Sequence, residues 1–332
     1  MSTNSFFLKV WSKVIFTEDN LENIGVRGIP LKWFHSYLNG RTQIVTIDGH
    51  LSNSFQCSFG VPQGSTLGPT LFLTYINELC KLEGGAQIFR FADDTVLLFH
   101  GPTWSIVRDL VENTLRKVTT WLEDSLLSLN TTKTKYICFN ISSRTSPDNK
   151  FTIQIHTYPC NRDRYIPAKC NCSKLARVYS IKYLGVVLDD KLNWSPQIAA
   201  VTNRIRKLIY VFKNLRDVAD AYILRMTYLA LCQSIISYCI CVWGGSAKTH
   251  IIELERGQRA VLKVMMRLPF RYPTEDLYKL CDVLTVRKLF IYQCLRRYHR
   301  CAVPQISPCN RRITKCPIPI CKTAFSKRFY AL

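Results

Sequence analysis

Two adjacent carboxylates, Asp93 and Asp94, stand in the stretch Phe91-Ala92-Asp93-Asp94, with apolar residues from Ile88 before them and from Thr95 to Phe99 after them. Carboxylates this close repel one another unless a cation sits beside them. Hard divalent ions take oxygen ligands of this kind. Two such ions, about 3.5–4 Å apart, can polarise both the attacking and the leaving oxygen in a displacement at phosphorus. An isolated Asp-Asp pair is most often a surface turn, but strand-like apolar sequence is an odd setting for a mere turn. The flanks predict two strands joined by a tight acidic turn, which would present both carboxylates at one end of a hairpin.

The elements around that turn have clear signals. Leu31 to Leu38 carries a helical apolar stripe ended by Asn39-Gly40. Gln43 to Ile47 is β-rich, and Asp48-Gly49 is a hairpin signal leading to a second extended run through Phe55. Gly60-Val61-Pro62-Gln63-Gly64-Ser65 is a loop feeding a helix from about Gly68-Pro69 to Leu79. Its two glycines and proline let a backbone approach a base or nucleotide closely, and the helix start nearby favours phosphate. Apolar positions from Ile106 to Leu129 predict a long helix over 104–129, Lys135 to Phe139 a strand, and Val178 to Leu188 a strand pair broken at Gly185. Residues 1–20 show no period, and 141–175 read as a loop or hairpin excursion.

Charge divides the chain more sharply than hydropathy does. Residues 1–100 hold 7 Lys/Arg against 8 Asp/Glu, whereas residues 201–332 hold 24 against 7. An excess that large on one half points to a polyanionic partner, since each Lys or Arg set against a phosphate displaces a counterion. After Trp194 apolar residues recur at helical spacing with Arg204, Arg206, Lys207 and Lys213 between them, so mixed α/β sequence gives way to basic all-α sequence near residue 194. No charged n-region and apolar h-region open the chain, which predicts an intracellular protein, in nucleus or cytoplasm and not secreted, with reduced thiols. Met226 to Ala247 lacks charge over a length that could span a bilayer, but its Gln, Ser, Tyr and Gly residues predict a buried helix and no membrane association.

The acidic hairpin resembles motif C of reverse transcriptases. The order of the surrounding motifs is similar to that of non-LTR (LINE-type) retrotransposons, jockey-like elements of animals in particular. The resemblance runs from Leu21-Glu22-Asn23-Ile24-Gly25 to about residue 300. Tyr37 to Gln43 is similar to the segment preceding motif B, and Gly60 to Ser65 with Leu67-Gly68-Pro69 to motif B itself. Leu129-Asn130 with Lys133 and Thr134 looks like motif D, and Tyr183-Leu184-Gly185-Val186 resembles the primer-grip region.

The resemblance implies an α+β fold: a right-hand polymerase palm, its antiparallel sheet packed on helices, then a basic all-α thumb and C-terminal region, with the fingers largely absent. The implied organisation is a non-matching segment 1–20, a partial palm 21–193, a helical thumb and connection region 194–300 and an irregular tail 301–332. The implied reaction is RNA-directed DNA synthesis. Asp93 and Asp94 would hold Mg²⁺, with Mn²⁺ as substitute, and Lys133 would protonate the leaving pyrophosphate. Arg41, Pro62, Gln63, Gly64 and Ser65 would contact substrate or template, and Tyr183, Leu184 and Gly185 would support the primer terminus. The partners would be an RNA template, a DNA primer or hybrid duplex, and dNTPs.

Each of these residues also has a plainer reading: Lys133 a solvated lysine, Arg41 a helix closure, Gly185 a bulge glycine. Family members carry a further aspartate, in motif A, about twenty residues ahead of the segment beginning Leu21. Here that place is MSTNSFFLKVWSKVIFTEDN, with no Asp before Asp19, which lies too near Leu21 to serve. The expectation is therefore a truncated copy without polymerase activity of its own. The alternative is a non-catalytic nucleic-acid-binding remnant that uses the basic helical half. Two cysteine groups, Cys160/Cys170/Cys172 and Cys301/Cys309/Cys316/Cys321, lack a Cys-x₂-Cys knuckle and are weak zinc candidates on spacing alone.

Overall fold

A computed structural model describes residues 2–12, 21–57, 60–62, 64–82, 84–92, 94–125, 127–139, 147–148, 151–156, 160 and 172–301. Together they are a mixture of helix and sheet in two compact units, Met1–Tyr179 and Ser180–Leu332.

In the first unit, β1 (Ser2–Ser12) precedes helix α1 (Ile29–Leu38), which stops at Asn39 and Gly40, the latter at φ 67°. Two short ribbons follow. β2 (Thr42–Gln43) pairs with β5 (Phe55–Gln56), and inside them β3 (Thr46–Ile47) pairs with β4 (His50–Leu51). Asp48 and Gly49, at φ 49° and 83°, make the two-residue turn that a hairpin's right-handed twist requires. Helix α2 (Gly68–Ile76) runs into a 3₁₀ turn (Asn77–Lys81), followed by the hairpin β6 (Gln87–Phe91) and β7 (Asp94–Gly101). Helix α3 (Trp104–Asp124) begins at Thr103, whose hydroxyl accepts from Ile106 N–H at 3.4 Å. It buries Val107, Val111, Leu115, Val118 and Leu122 along one stripe. Strands β8 (Leu127–Leu129), β9 (Lys135–Phe139) and β10 (Ala176–Arg177) complete the unit.

The sheet order is β10-β9-β1-β7-β6, antiparallel except at β10–β9, and β8 pairs with the far end of β1. Leu97 and Phe99 from β7, Tyr136 and Cys138 from β9, and the α3 stripe form its core together with Tyr75, Ile76 and Leu79.

Two features of this unit differ from the sequence expectations. Residues 2–12, which show no period, are a strand between β7 and β9 at the centre of the sheet. A run such as Phe6-Phe7-Leu8 has no alternation to announce a strand; its partners, far along the chain, settle it. The helix expected to reach Leu129 ends at Asp124. Leu127 and Leu129 instead pair with Ser12 and Val10 of β1. Two residues apart, they have the spacing of a strand. Within the excursion 141–175, residues 153–155 and 173–175 pair through Ile155 N–H to Ser173 O (3.0 Å) and Leu175 N–H to Ile153 O (2.9 Å).

The second unit opens with the hairpin β11 (Ser180–Tyr183) and β12 (Val186–Asp189) and continues as helices: α4 (Ser195–Leu215), α5 (Ala221–Tyr228), α6 (Ser234–Ser237), α7 (Ile240–Trp243), α8 (Lys248–Met265), α9 (Thr274–Cys281) and α10 (Val286–Cys301). The change of composition at residue 194 marks the start of α4; the hairpin ahead of it belongs to the same compact unit. Asp189 joins the two. Its buried carboxylate accepts from Asn193 N–H at 2.9 Å and Trp194 N–H at 2.8 Å, holding Trp194 at φ 66° just before the helix. Gln197 accepts from Val187 N–H at 2.8 Å, a second tie between hairpin and helix.

The charge-free stretch 226–247 is not one helix. A π-turn at Leu229–Gln233 and a break at Tyr238-Cys239, with Cys239 at φ 52°, divide it, and Tyr228, Cys232, Ile236, Ile240 and Trp243 face the core. Among the described residues no helix is long and apolar enough to cross a membrane. Deep in this core Gln258 donates to Tyr228 Oη (2.8 Å) and Leu284 O (2.9 Å) and accepts from Tyr278 Oη at 2.9 Å. Burial pushes both phenols well above the ordinary tyrosine pKa.

Candidate active site

Strands β6 and β7 pair with Phe91 opposite Asp94, Arg90 opposite Thr95 and Phe89 opposite Val96, so a two-residue turn closes the hairpin. Ala92, its first residue, sits at φ 51°. A non-glycine residue pays about 1–2 kcal/mol for that conformation, offset here by the ladder on both sides. Asp93 lies outside the described residues. Asp94 begins β7 half-buried, followed by the fully buried Thr95, Val96 and Leu97, so an acid stands at the rim of an apolar core. Arg90 braces the hairpin from its other strand by donating to the Ile76 carbonyl at the end of α2.

On its other side β7 pairs with β1, in a register that puts Lys9 opposite Asp94 and Leu8 opposite Thr95. The eleven residues of β1, Ser2 to Ser12, include no aspartate or glutamate. The hairpin carboxylates are hard oxygen donors suited to Mg²⁺. A pair of ions also needs carboxylates from a second strand, and β1 has none to offer. The donor set thus fits Mg²⁺ on one side only.

The loop before α2 is wound about a single hydroxyl. Ser65 Oγ donates to Pro62 O at 2.7 Å and accepts from Gly68 N–H at 3.0 Å. A Cβ on Gly68 would lie 2.8 Å from Pro62 O and 3.1 Å from Ser65 Oγ, so this turn has room for glycine alone. Gly60 and Gly64 take φ 82° and 80°. Gln63 is outside the described residues. Arg41 reaches this loop from the end of α1, donating from Nη2 to Gly60 O at 2.5 Å and from Nε to Leu38 O at 2.8 Å. Its guanidinium both closes the helix and ties down the loop.

Lys133 is exposed in the turn after β8. Asn130 shapes that turn: its side-chain oxygen accepts from Lys133 N–H at 3.0 Å and Thr132 Oγ1 at 2.7 Å. Tyr183, Leu184 and Gly185 belong to the second unit. Leu184 and Gly185, at φ 45° and 83°, form the β11–β12 turn, and Leu184 O accepts from Tyr238 Oη at 2.6 Å. A Cβ on Gly185 would meet the Tyr238 ring at 3.2 Å. Gly185 is therefore a hairpin-turn residue and not a strand bulge.

Of the weak zinc candidates, Cys170, Cys309, Cys316 and Cys321 lie outside the described residues and Cys301 ends α10. Cys160 and Cys172 do come together, and a residue not anticipated from spacing joins them. His156 stands four residues before Cys160, its Nδ1 3.4 Å from the Cys160 Sγ. A His-x₃-Cys spacing was the available signal, too common by itself to be informative.

A family model described as reverse transcriptase (RNA-dependent DNA polymerase) matches residues 3–188. With the acidic hairpin, the glycine-bounded loop and the motif order, the match places the chain in the reverse transcriptase family of RNA-directed DNA polymerases. The chain is 24% identical to a probable RNA-directed DNA polymerase from transposon X-element of Drosophila melanogaster, with 79% of this chain aligned. It is 27% identical to the RNA-directed DNA polymerase from mobile element jockey of Drosophila funebris, over 80% of its length. It spans 28% of the length of each of these relatives. A solved structure of telomerase from Candida albicans, in complex with a telomeric RNA fragment, matches 86% of this chain and 50% of its own at 11% identity and a TM-score of 0.38.

Proposed function

We propose that this chain descends from a palm and thumb whose reaction is template-directed nucleotidyl transfer by two metal ions, and that it does not catalyse that reaction by itself. The observation that carries this reading is the pairing of Asp94 with an acid-free strand. β1 fills the strand position beside the motif C hairpin, and its residue in register with Asp94 is Lys9. Removing one carboxylate shared by two ions abolishes most of such a rate. In this reading Asp93 and Asp94 are the metal ligands. Arg41, Pro62, Gln63, Gly64 and Ser65 line the nucleotide and template side, Lys133 is the pyrophosphate acid, and Tyr183, Leu184 and Gly185 are the primer support.

What the chain keeps is nucleic-acid binding. Arg204, Arg206, Lys207 and Lys213 on α4, and Arg256, Arg287 and Lys288 further on, are exposed. Such rows grip duplex phosphate without reading sequence. The partners proposed are an RNA template and an RNA–DNA hybrid, with dNTP capture reduced or absent.

Primer extension on an RNA template, with Mg²⁺ and separately with Mn²⁺, tests both halves. The expected result is no dNTP incorporation above that of an Asp93→Ala, Asp94→Ala control, together with hybrid binding that weakens steeply with salt and is indifferent to those two substitutions. Robust incorporation that disappears on Asp93→Ala would overturn the inactive reading. Binding insensitive to salt would overturn the other.

A further inference from the structure

The excursion between β9 and β10 departs and returns as a small ribbon pinned to the first unit at several points. Tyr136 Oη donates to Phe151 O at 2.9 Å at one end. Thr119 Oγ1, on α3, donates to His156 O at 3.1 Å at the other. Between them Ile153 and Ile155 are fully buried, and Gln154 forms an antiparallel bridge with Lys174. These anchors fix where His156 and Cys172 stand before anything else acts on them.

Where the ribbon opens, one nitrogen and two sulfurs converge. The ligand atoms of His156, Cys160 and Cys172 all lie within 4.8 Å of one another, and His156 is buried. A tetrahedral ion with bonds of about 2.0–2.1 Å to nitrogen and 2.3 Å to sulfur sets N···S edges of roughly 3.6 Å and S···S edges of roughly 3.8 Å. The observed Nδ1···Sγ separation of 3.4 Å matches the first, and the convergence of all three atoms accommodates the second. Imidazole with thiolate is the donor chemistry of zinc, and oxygen-seeking Mg²⁺ avoids it.

We propose that His156, Cys160 and Cys172 bind a zinc ion, a structural site that clips together the two ends of the excursion. The three protein donors leave one position for water or a fourth donor. The ion would be bound through His156 Nδ1 and would link the chain leaving at His156 to the chain returning at Cys172. The ordering would pass to α3 through the Thr119 hydrogen bond. The site stands independently of any polymerase activity, since it uses none of the residues assigned to that reaction.

The full chain, purified with a phosphine reductant and exchanged against buffered zinc, is analysed for metal by mass spectrometry. About one zinc per chain is expected, bound with thiolate displacement of protons. Cys160→Ser and Cys172→Ser should each remove it, and Cys239→Ser, an exposed thiol on the other unit, should not. A parent protein that takes up no zinc, or serine variants that keep the parent's full content, would overturn the proposal. Should those variants fail to fold, Co²⁺ titration of the parent decides. Intense tetrahedral absorption with thiolate-to-cobalt charge transfer is expected, and a spectrum without that charge transfer rejects the site. A Cys160–Cys172 disulfide surviving in the reduced parent would reject it equally.

Discussion

The two compact units of this chain place their candidate residues in opposite parts of their structure. In the first, the candidate residues lie in backbone turns: the hairpin turn that Ala92 opens, the Ser65–Gly68 loop and the Asn130 turn. The hairpin depends on what its neighbouring strand supplies. In the second, the interior is organised around a satisfied polar cluster at Gln258, and the surface carries exposed basic residues. A sheet-borne site fails when one neighbouring strand changes, because the ligands are shared across the ladder. A charged helical surface weakens in small increments, because each Lys or Arg acts on its phosphate nearly independently. Under the proposed function, this contrast is what would let a chain lose catalysis at one strand and still keep nucleic-acid binding.

The contrast can be tested first in the helical interior. Gln258→Leu strands the Tyr278 hydroxyl and the Leu284 carbonyl in the core, and should cost about 2–4 kcal/mol. Denaturant unfolding would measure the loss, and hydrogen exchange should place it in residues 180–301. Adding Tyr278→Phe should recover part of it, since a buried donor is then removed with its partner.

Next come two glycines, one in each unit. A Cβ on Gly244 would sit 2.5 Å from Phe290 Cδ2 and 2.6 Å from Ile240 O. Gly244→Ala should therefore destabilise the second unit by about 1–3 kcal/mol. Gly68→Ala meets Pro62 O, and the loop it strains is at the surface. Its expected effect is faster exchange confined to residues 60–71, with global stability falling by about 1 kcal/mol or less. A global loss as large as that of Gly244→Ala would mean that the loop is part of the core after all.

The smallest effect on stability is expected on the basic face. Replacing Arg204, Arg206, Lys207 and Lys213 by Gln should leave unfolding within about 0.5 kcal/mol of the parent. Hybrid binding should nevertheless weaken, its log–log salt slope becoming shallower by up to about 0.9 for each phosphate that is no longer neutralised. An unchanged slope would place the nucleic acid elsewhere.

Much of this was legible along the chain, because the signals are local. Asp48-Gly49 announces a two-residue turn through the φ values it tolerates, and the α3 and α4 stripes announce their buried faces through a period of 3.6. The motif order from Gly60 to Gly185 was sufficient for the family, and the absence of an acid in residues 2–12 was visible as plain text.

Tertiary structure decided what local patterns cannot express. Which strand lies beside Asp94 is a question of pairing between residues about eighty-five positions apart, and the answer, β1 with Lys9 in register, turned a missing motif into a filled but acid-free strand. The end of α3 at Asp124 was decided likewise, since β1 claims Leu127 and Leu129. Met226 to Ala247 has the length of a membrane span, yet a π-turn and the left-handed Cys239 divide it, and the side chains of its pieces turn into a protein core. His156 became part of a cluster only once the paired ribbon brought Cys172 back beside it. Turns and periods are written in adjacent residues. Strand neighbours and ligand clusters come from loop closures whose entropy is repaid only by interactions formed across the whole fold.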